Sequence, residues 1–180
     1  MTTRFCFFNL SLVLISLVFL RSASADLVAD TCKEISQSGG VTLPYDFCVA
    51  ALNADPGSQA ADLAGLGVIS LKLSKANATY VRSYIDQLLA GKKYDEEALK
   101  TCAEEYDNAL DNIEMATLYI NRKDYNGANI QVSAAFDVPQ DCEDTFKERP
   151  DLQSPLTKED DVCTQLFKIA LNITKKLSGR

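Results

Sequence analysis

Two cysteines, Cys102 and Cys142, lie on the apolar stripes of two consecutive predicted helices. The stripes contain Leu99, Cys102, Tyr106, Ala109, Ile113 and Ile120 in the first helix, and Ala128, Val132, Ala135, Pro139, Cys142 and Phe146 in the second. Both sets step by three, four or seven residues, the spacing of one face of an α-helix. Residues 121–124 supply a short turn, so antiparallel helices would place both cysteines far from the turn and facing one seam.

A disulfide across that seam is geometrically natural. It closes a loop of about 40 residues and stabilises the fold by roughly 3–4 kcal/mol in the chain-entropy model. The sequence therefore predicts a stapled helical hairpin onto which the rest of the chain packs.

Residues 1–25 have the pattern of a secretory signal peptide. Arg4 supplies a positive charge, residues 5–20 are nearly all apolar, and Ala23-Ser24-Ala25 is a small-residue cleavage site. The alternative, an uncleaved membrane anchor, is disfavoured because an apolar stretch of this length is short for a span. We therefore expect a secreted mature chain that begins at Asp26, resides in the extracellular space and has no membrane contact of its own.

Removal of the signal leaves 180 − 25 = 155 residues, enough for one domain with a substantial core. Arg4 and Arg21 are lost with the signal, so the formal net charge becomes −7 − 2 = −9. An acidic domain is a poor nucleic-acid binder. Its expected partners are therefore proteins with cationic or mixed-charge surfaces.

The chain contains no histidine. This excludes Ser-His-Asp and Cys-His catalysis and every histidine-ligated metal site. Five cysteines remain after Cys6 leaves with the signal, so at least one thiol is unpaired. We interpret Cys163 as a buried, inert thiol in preference to a reactive thiol or an intermolecular disulfide, and no histidine base is available to activate it as a nucleophile.

Two groups of acidic residues are interpreted as solvated helix faces. They are Asp141, Glu143, Asp144 and Glu148, and Glu104, Glu105, Asp107 and Asp111. A glycosidase needs two carboxylates across a cleft, and these residues crowd single helical segments. We therefore predict no catalytic, cofactor-binding or metal site, and a protein that is not an enzyme.

The predicted fold is all-α: an N-terminal helical hairpin over residues 26–57, packed on an up-down-up-down four-helix bundle over residues 58–180. Cys32 and Cys48 are close enough in sequence to staple the hairpin, whose second helix Thr42 can cap. The bundle helices are expected over 58–90, ended by Gly91, then 95–121 and from 124 onward, with Asp95 and Asp124 as caps. Pro139 should kink or split the third of these. Thr157 with Asp160 resembles a capping box at the start of the last.

Predicted apolar stripes mark the inward faces of the first and last bundle helices. They are Leu66, Ile69, Leu73, Ala76, Tyr80, Tyr84 and Leu88, and Val162, Leu166, Ile169, Ile173 and Leu177. Asn77 and Asn172 open glycosylation sequons that fall off these stripes, so both asparagines can face solvent. The alternative is that neither sequon is used.

Local patterns around the cysteines resemble the plant invertase and pectin methylesterase inhibitor family. The matching segments are residues 44–48 after Cys32, residues 51–56, residues 61–70 (which also resemble plane-tree pollen members), residues 102–107, 123–125, 132–135, 142–146 and 154–157. Their order and spacing cover essentially the whole mature chain. The resemblance implies a helical hairpin on a four-helix bundle, bridges Cys32–Cys48 and Cys102–Cys142, and a free Cys163. It also implies an inhibitor that occupies the substrate cleft of pectin methylesterase or acid invertase, as a 1:1 complex in the cell wall.

The choice of target depends on the turn between the second and third bundle helices. Invertase inhibitors of the family carry Pro-Lys-Phe there, whereas this chain has Asp124-Tyr125-Asn126, which favours pectin methylesterase. Tyr125 could anchor a partner, since tyrosine is a common hot-spot residue, or could pack against the start of its own helix. A secreted bundle that inhibits nothing, of the pollen-allergen or storage kind, is a third possibility. Because histidine is absent, any switching in an acidic cell wall must come from carboxylates.

Overall fold

The computed structural model describes residues 27–39, 42–148 and 153–179, and the predicted signal peptide lies outside these residues. Within them the chain is helical, with no β-strand. The elements are α1 (residues 27–37), α2 (Tyr45–Asn53), a 3₁₀ turn (Pro56–Ala60), α3 (Leu63–Gly91), α4 (Glu96–Asn121), α5 (Tyr125–Lys147) and α6 (Thr157–Leu177). The all-α prediction is confirmed.

Helices α3 to α6 form a four-helix bundle in which each helix packs against two neighbours. Helix α4 contacts α3 and α5, and α6 contacts α5 and α3, which closes the ring. The turns after α3 and α4 are short, as expected for antiparallel neighbours. Helices α1 and α2 form the predicted hairpin, which covers apolar residues of α3 and α6.

Two disulfides are present at the predicted places. Cys102–Cys142 joins α4 to α5 with a Cα–Cα distance of 4.9 Å, and Cys32–Cys48 joins α1 to α2 with 5.6 Å. All four cysteines are fully buried. Each disulfide therefore ties together two helices that are adjacent in the chain, and both distances are ordinary for a disulfide.

Three aspartates cap the N-termini of α3, α4 and α5, each by accepting a backbone hydrogen bond with its side chain. The pairs are Asp62 with Gly65 (2.8 Å), Asp95 with Ala98 (2.8 Å) and Asp124 with Gly127 (2.9 Å). The caps at Asp95 and Asp124 were predicted. The predicted start of α3 at residue 58 is wrong, because residues 56–60 form a 3₁₀ turn and Asp62 sets the helix start.

Other predicted boundaries also differ from the structure. Pro44, not Thr42, precedes α2, and no side chain caps that helix. Pro139 lies inside an unbroken α5, so the predicted split does not occur. Its ring is buried on the face that packs in the bundle, where neighbouring helices hold the segment helical despite the missing N–H. Gly91 is the last residue of α3, and Lys92 takes the left-handed conformation after it (φ 50°).

The predicted stripe of α3 is only partly the face that enters the bundle. Its first half, Leu66, Ile69 and Leu73, packs under the N-terminal hairpin. The face toward the bundle is instead Leu71, Ala78, Val81 and Ile85 together with two buried serines, Ser70 and Ser74. Beyond the hairpin, Ala76 and Tyr80 of the predicted stripe are exposed, Tyr80 to 55%, whereas Tyr84 and Leu88 are half-buried against the main core as predicted.

Helix α6 divides its buried residues in the same way. One face packs with the hairpin and contains four residues of the predicted α6 stripe, Leu166, Ile169, Ile173 and Leu177. Cys163, Phe167 and Ala170 face the bundle core. Helices α3 and α6 therefore each have two buried faces, because they lie between the hairpin and the other half of the bundle.

Candidate functional site

The turn between α4 and α5 is held by backbone geometry. Lys123 has a positive φ of 61°, and the Asp124 N–H donates to the Tyr119 carbonyl oxygen at 2.9 Å. The Asp124 side chain then caps α5 through the Gly127 N–H. The turn is thus a compact corner at one end of the bundle, and the carboxylate of Asp124 is engaged in local structure.

The three predicted partner-binding residues lie together at this corner but differ in exposure. Asp124 and Asn126 are exposed, whereas Tyr125 is half-buried and packs against the main core. Because part of the Tyr125 ring contacts the protein interior, packing within the bundle is favoured over the role of a free partner-binding anchor. Asn126 is therefore the one of these three side chains that is exposed and neither caps the helix nor packs against the core.

Two exposed apolar residues near the same corner were missed by the sequence interpretation. Leu118 of α4 is 37% exposed and Ile130 of α5 is 60% exposed. Ile130 lies five residues after Tyr125, or about 7–8 Å along the helix axis. Both residues lie outside the core stripes of their helices, and this position was the sequence signal that could have indicated their exposure. We call Leu118, Asp124, Tyr125, Asn126 and Ile130 the turn surface.

Cys163 is the free thiol and is completely buried. Burial raises its pKa, so the thiolate is disfavoured and the residue is a poor nucleophile. The four disulfide cysteines are likewise buried. Cysteine chemistry at the surface is therefore not available from the described residues.

Most acidic side chains of the two predicted faces are exposed, and two of them pair with cations. Asp144 accepts from Lys147 at 2.8 Å, and Asp107 accepts from Arg82 at 3.0 Å. Glu143 is an exception, because it is half-buried and its carboxylate accepts a hydrogen bond from the Thr157 hydroxyl at 3.1 Å.

The predicted capping box at the start of α6 does not form. Leu156 precedes the helix without a side-chain cap. Asp160 points inward, where it is 2% exposed and accepts a hydrogen bond from the Tyr106 hydroxyl at 2.5 Å. The reason is its position on the inward face of α6, one turn before Cys163.

A shallow groove of about 550 Å³ lies between α3 and α4. Val68, Leu71 and Ile113 contribute apolar lining, and Lys75 pairs with Glu114 across it at 2.5 Å. Within the described ranges, no cluster of acidic residues, cysteines or histidines could hold a metal ion.

The two sequon asparagines are half-buried within helices, so the expectation that both face solvent holds only in part. The Asn77 amide oxygen is buried without a hydrogen-bond partner. The Asn172 amide nitrogen donates to the Lys168 carbonyl at 2.9 Å. Glycosylation at either residue stays a prediction.

Among the described helices, none has the length and apolar character to span a membrane.

Comparison with known proteins relates this fold and its cysteines to one family. The profile of the plant invertase/pectin methylesterase inhibitor family matches residues 26–173. A protein of Platanus acerifolia, provisionally named an invertase inhibitor, is 41% identical over 179 residues, which is 96% of this chain and 94% of the relative. "Pectinesterase inhibitor 12" of Arabidopsis thaliana is 39% identical, over 94% of this chain and 99% of the relative.

A solved structure agrees with the architecture. The crystal structure of a mutant form of a pectin methylesterase inhibitor from Arabidopsis superimposes with a TM-score of 0.68 at 26% identity. The match covers 82% of this chain and 96% of the other. This family consists of inhibitor proteins and not of enzymes. From its sequence match, its helical architecture and its relatives, the chain belongs to the plant invertase/pectin methylesterase inhibitor family.

Proposed function

We propose that the mature chain is a secreted inhibitor that binds pectin methylesterase in a 1:1 complex and covers its active-site cleft. Relatives named pectinesterase inhibitors from Arabidopsis thaliana and Actinidia deliciosa, at 39% and 32% identity, support this class of function. The acidic, rigid and disulfide-stapled bundle suits a protein that acts by occupying a surface. We place its action in the cell wall, where the substrates of both candidate enzymes occur.

The turn surface is the observation that carries the choice of target. Where invertase inhibitors of this family have Pro-Lys-Phe, this chain has a capping aspartate, a half-buried tyrosine and an exposed asparagine. No lysine or freely projecting aromatic ring occupies those three positions. Leu118 and Ile130 add exposed apolar side chains near this corner.

Acid invertase is the second candidate target. Two Platanus proteins provisionally named invertase inhibitors, both at 41% identity, favour it. "Cell wall / vacuolar inhibitor of fructosidase 2" of Arabidopsis thaliana, at 31% identity, is a further relative of this kind. A bundle without inhibitory activity is the third possibility, and the same experiment separates all three.

The experiment mixes purified, oxidised mature protein with pectin methylesterase and, separately, with acid invertase at the acidic pH of the cell wall. We expect loss of esterase activity with saturation at one inhibitor per enzyme, and unchanged invertase activity. Loss of invertase activity alone would transfer the proposal to invertase. Loss of neither activity, with both disulfides verified by mass, would refute inhibition of the enzymes tested.

A matched pair of variants tests whether the turn surface makes the contact. Ile130→Asp places a charge on an exposed apolar residue of the turn surface. Tyr80→Asp makes the same kind of change on α3, at a residue that is 55% exposed and outside that surface. We expect at least a tenfold weaker inhibition from Ile130→Asp, since a charge at a contact centre is costly to desolvate, and no change from Tyr80→Asp. Equal effects of the two variants would contradict the assignment.

A further inference from the structure

A cluster of three side chains, buried at Tyr106 and Asp160 and half-buried at Glu143, joins α4, α5 and α6 at the disulfide end of the bundle. The Tyr106 hydroxyl of α4 donates to one carboxyl oxygen of Asp160 in α6 at 2.5 Å. Tyr106 is fully buried, and it lies one helical turn after Cys102. Asp160 is 2% exposed. The contact therefore ties α6 directly to the stapled α4–α5 hairpin.

The second carboxyl oxygen of Asp160 is buried and has no hydrogen-bond donor. An ionised carboxylate in such a place keeps one oxygen unsatisfied, and its charge is removed from water at a high cost. A neutral carboxylic acid avoids this cost. It can carry its proton on the oxygen that lacks a donor and still accept from Tyr106 with the other.

The groups that act on Asp160 all favour the neutral form except Tyr106. Glu143 of α5 and Glu159 of α6 contribute negative charge, and the Cys163 thiol lies in the same cluster. None of these four groups is a cation. Burial first, and then Glu143, raise the pKa of Asp160 to about 8, although the Tyr106 hydrogen bond lowers it.

We propose that Asp160 makes the bundle a proton-dependent structure, which folds with this carboxyl group neutral and loses stability as the pH rises from acidic to slightly alkaline. The Tyr106–Asp160–Glu143 cluster is the part of the structure that responds to pH. It is independent of which enzyme the protein inhibits.

The sign follows from proton binding in the two states. An unfolded aspartate has an ordinary pKa near 3.8, whereas the folded value is about 8. Between these values the folded chain holds one proton that the unfolded chain has released. The stability that Asp160 contributes through this proton is therefore fully present below pH about 4 and is lost as the pH rises toward 8. Over this range Asp160 increases the unfolding constant by up to tenfold for each pH unit.

The test compares urea unfolding of the oxidised chain at several pH values from about 5 to 7.5, with Asp160→Asn and with Asp161→Asn as the matched control. Asparagine keeps the acceptor for Tyr106 but cannot ionise. Asp161 is the next residue and is exposed. We expect the wild-type unfolding constant to rise at least tenfold more over this range than that of Asp160→Asn. Asp161→Asn should follow the wild type.

Equal pH dependence of the wild type and Asp160→Asn would overturn the proposal. If Asp160→Asn does not fold, the infrared spectrum of the wild-type protein decides. A protonated carboxyl band present at pH about 6 and lost by pH about 9 supports the proposal, and its absence at the lower pH refutes it.

Discussion

Ser74 of α3 is a buried polar residue whose removal should stabilise the protein. The residue is 0% exposed, and its hydroxyl oxygen has no hydrogen-bond partner. It lies on the face of α3 that enters the bundle core. Replacing the hydroxyl by hydrogen removes an unsatisfied group, and the cavity left by a single oxygen atom is small.

The expected gain for Ser74→Ala is about 1–2 kcal/mol in the free energy of unfolding. A buried polar group without a partner costs about 1–3 kcal/mol. Alanine is also the better helix former, by less than about 0.7 kcal/mol. The lost packing of one oxygen atom offsets part of the sum.

Ser70, one helical turn earlier, provides the matched control. It is 2% exposed, but its hydroxyl donates to the Gly67 carbonyl oxygen at 2.7 Å. Ser70→Ala therefore removes a satisfied group, and we expect a change within about 0.5 kcal/mol. Urea unfolding of the oxidised protein followed by circular dichroism measures both variants. Destabilisation by Ser74→Ala, or equal gains from both variants, would refute the argument from hydrogen-bond satisfaction.

Two further predictions concern the disulfides and the left-handed residue that ends α3. Replacing Cys102 and Cys142 by alanine should cost about 4 kcal/mol, because their disulfide spans 40 residues, whereas the same change at Cys32 and Cys48, which span 16, should cost about 3 kcal/mol. Urea midpoints of both double variants measure this, and a loss below about 1 kcal/mol for the longer loop contradicts the chain-entropy account. Lys92→Gly should stabilise by about 0.5–1 kcal/mol, because Lys92 ends α3 with a φ of 50° that glycine adopts without strain. A lower melting temperature for this variant would show that the lysine side chain contributes more than the strain costs.

The fold was largely predictable because its strongest signals are local and redundant. The cysteines on the stripes of α4 and α5, the capping aspartates and the helix-period spacing all indicate the same hairpin. The stripes of α3 and α6 were harder to interpret. Each of these helices has two buried faces, and the face toward the bundle mixes large apolar residues with small or polar ones, so the more uniformly aliphatic face is the more visible in a sequence. Only the structure shows that it packs under the hairpin while Ser70, Ser74 and Ala78 enter the bundle.

The candidate site was less predictable, because exposure depends on helix rotation and not on residue type. Tyr125 was a reasonable anchor from its chemistry, yet its ring partly enters the core. Leu118 and Ile130 are ordinary apolar residues in a sequence, and their meaning comes from being exposed near a corner of the bundle. Asp160 shows the converse. Its spacing from Thr157 suggested a cap, but its partner Tyr106 is 54 residues away, so no local pattern could indicate the contact.

A physical constraint on target choice follows from this division between buried and exposed residues. A buried side chain cannot contact an enzyme without unfolding the bundle, so residues such as Tyr106, Phe146 and Phe167 determine the fold and leave the target undetermined. Inhibitors named for two different enzymes can therefore share the architecture of this chain at 31–41% identity. The discriminating residues must be exposed and rigidly held. At the α4–α5 corner, the cap of Asp124 fixes the start of α5 and, with it, the direction in which Asn126 and Ile130 project. Substitution of those two exposed positions should consequently change target affinity at little cost in stability.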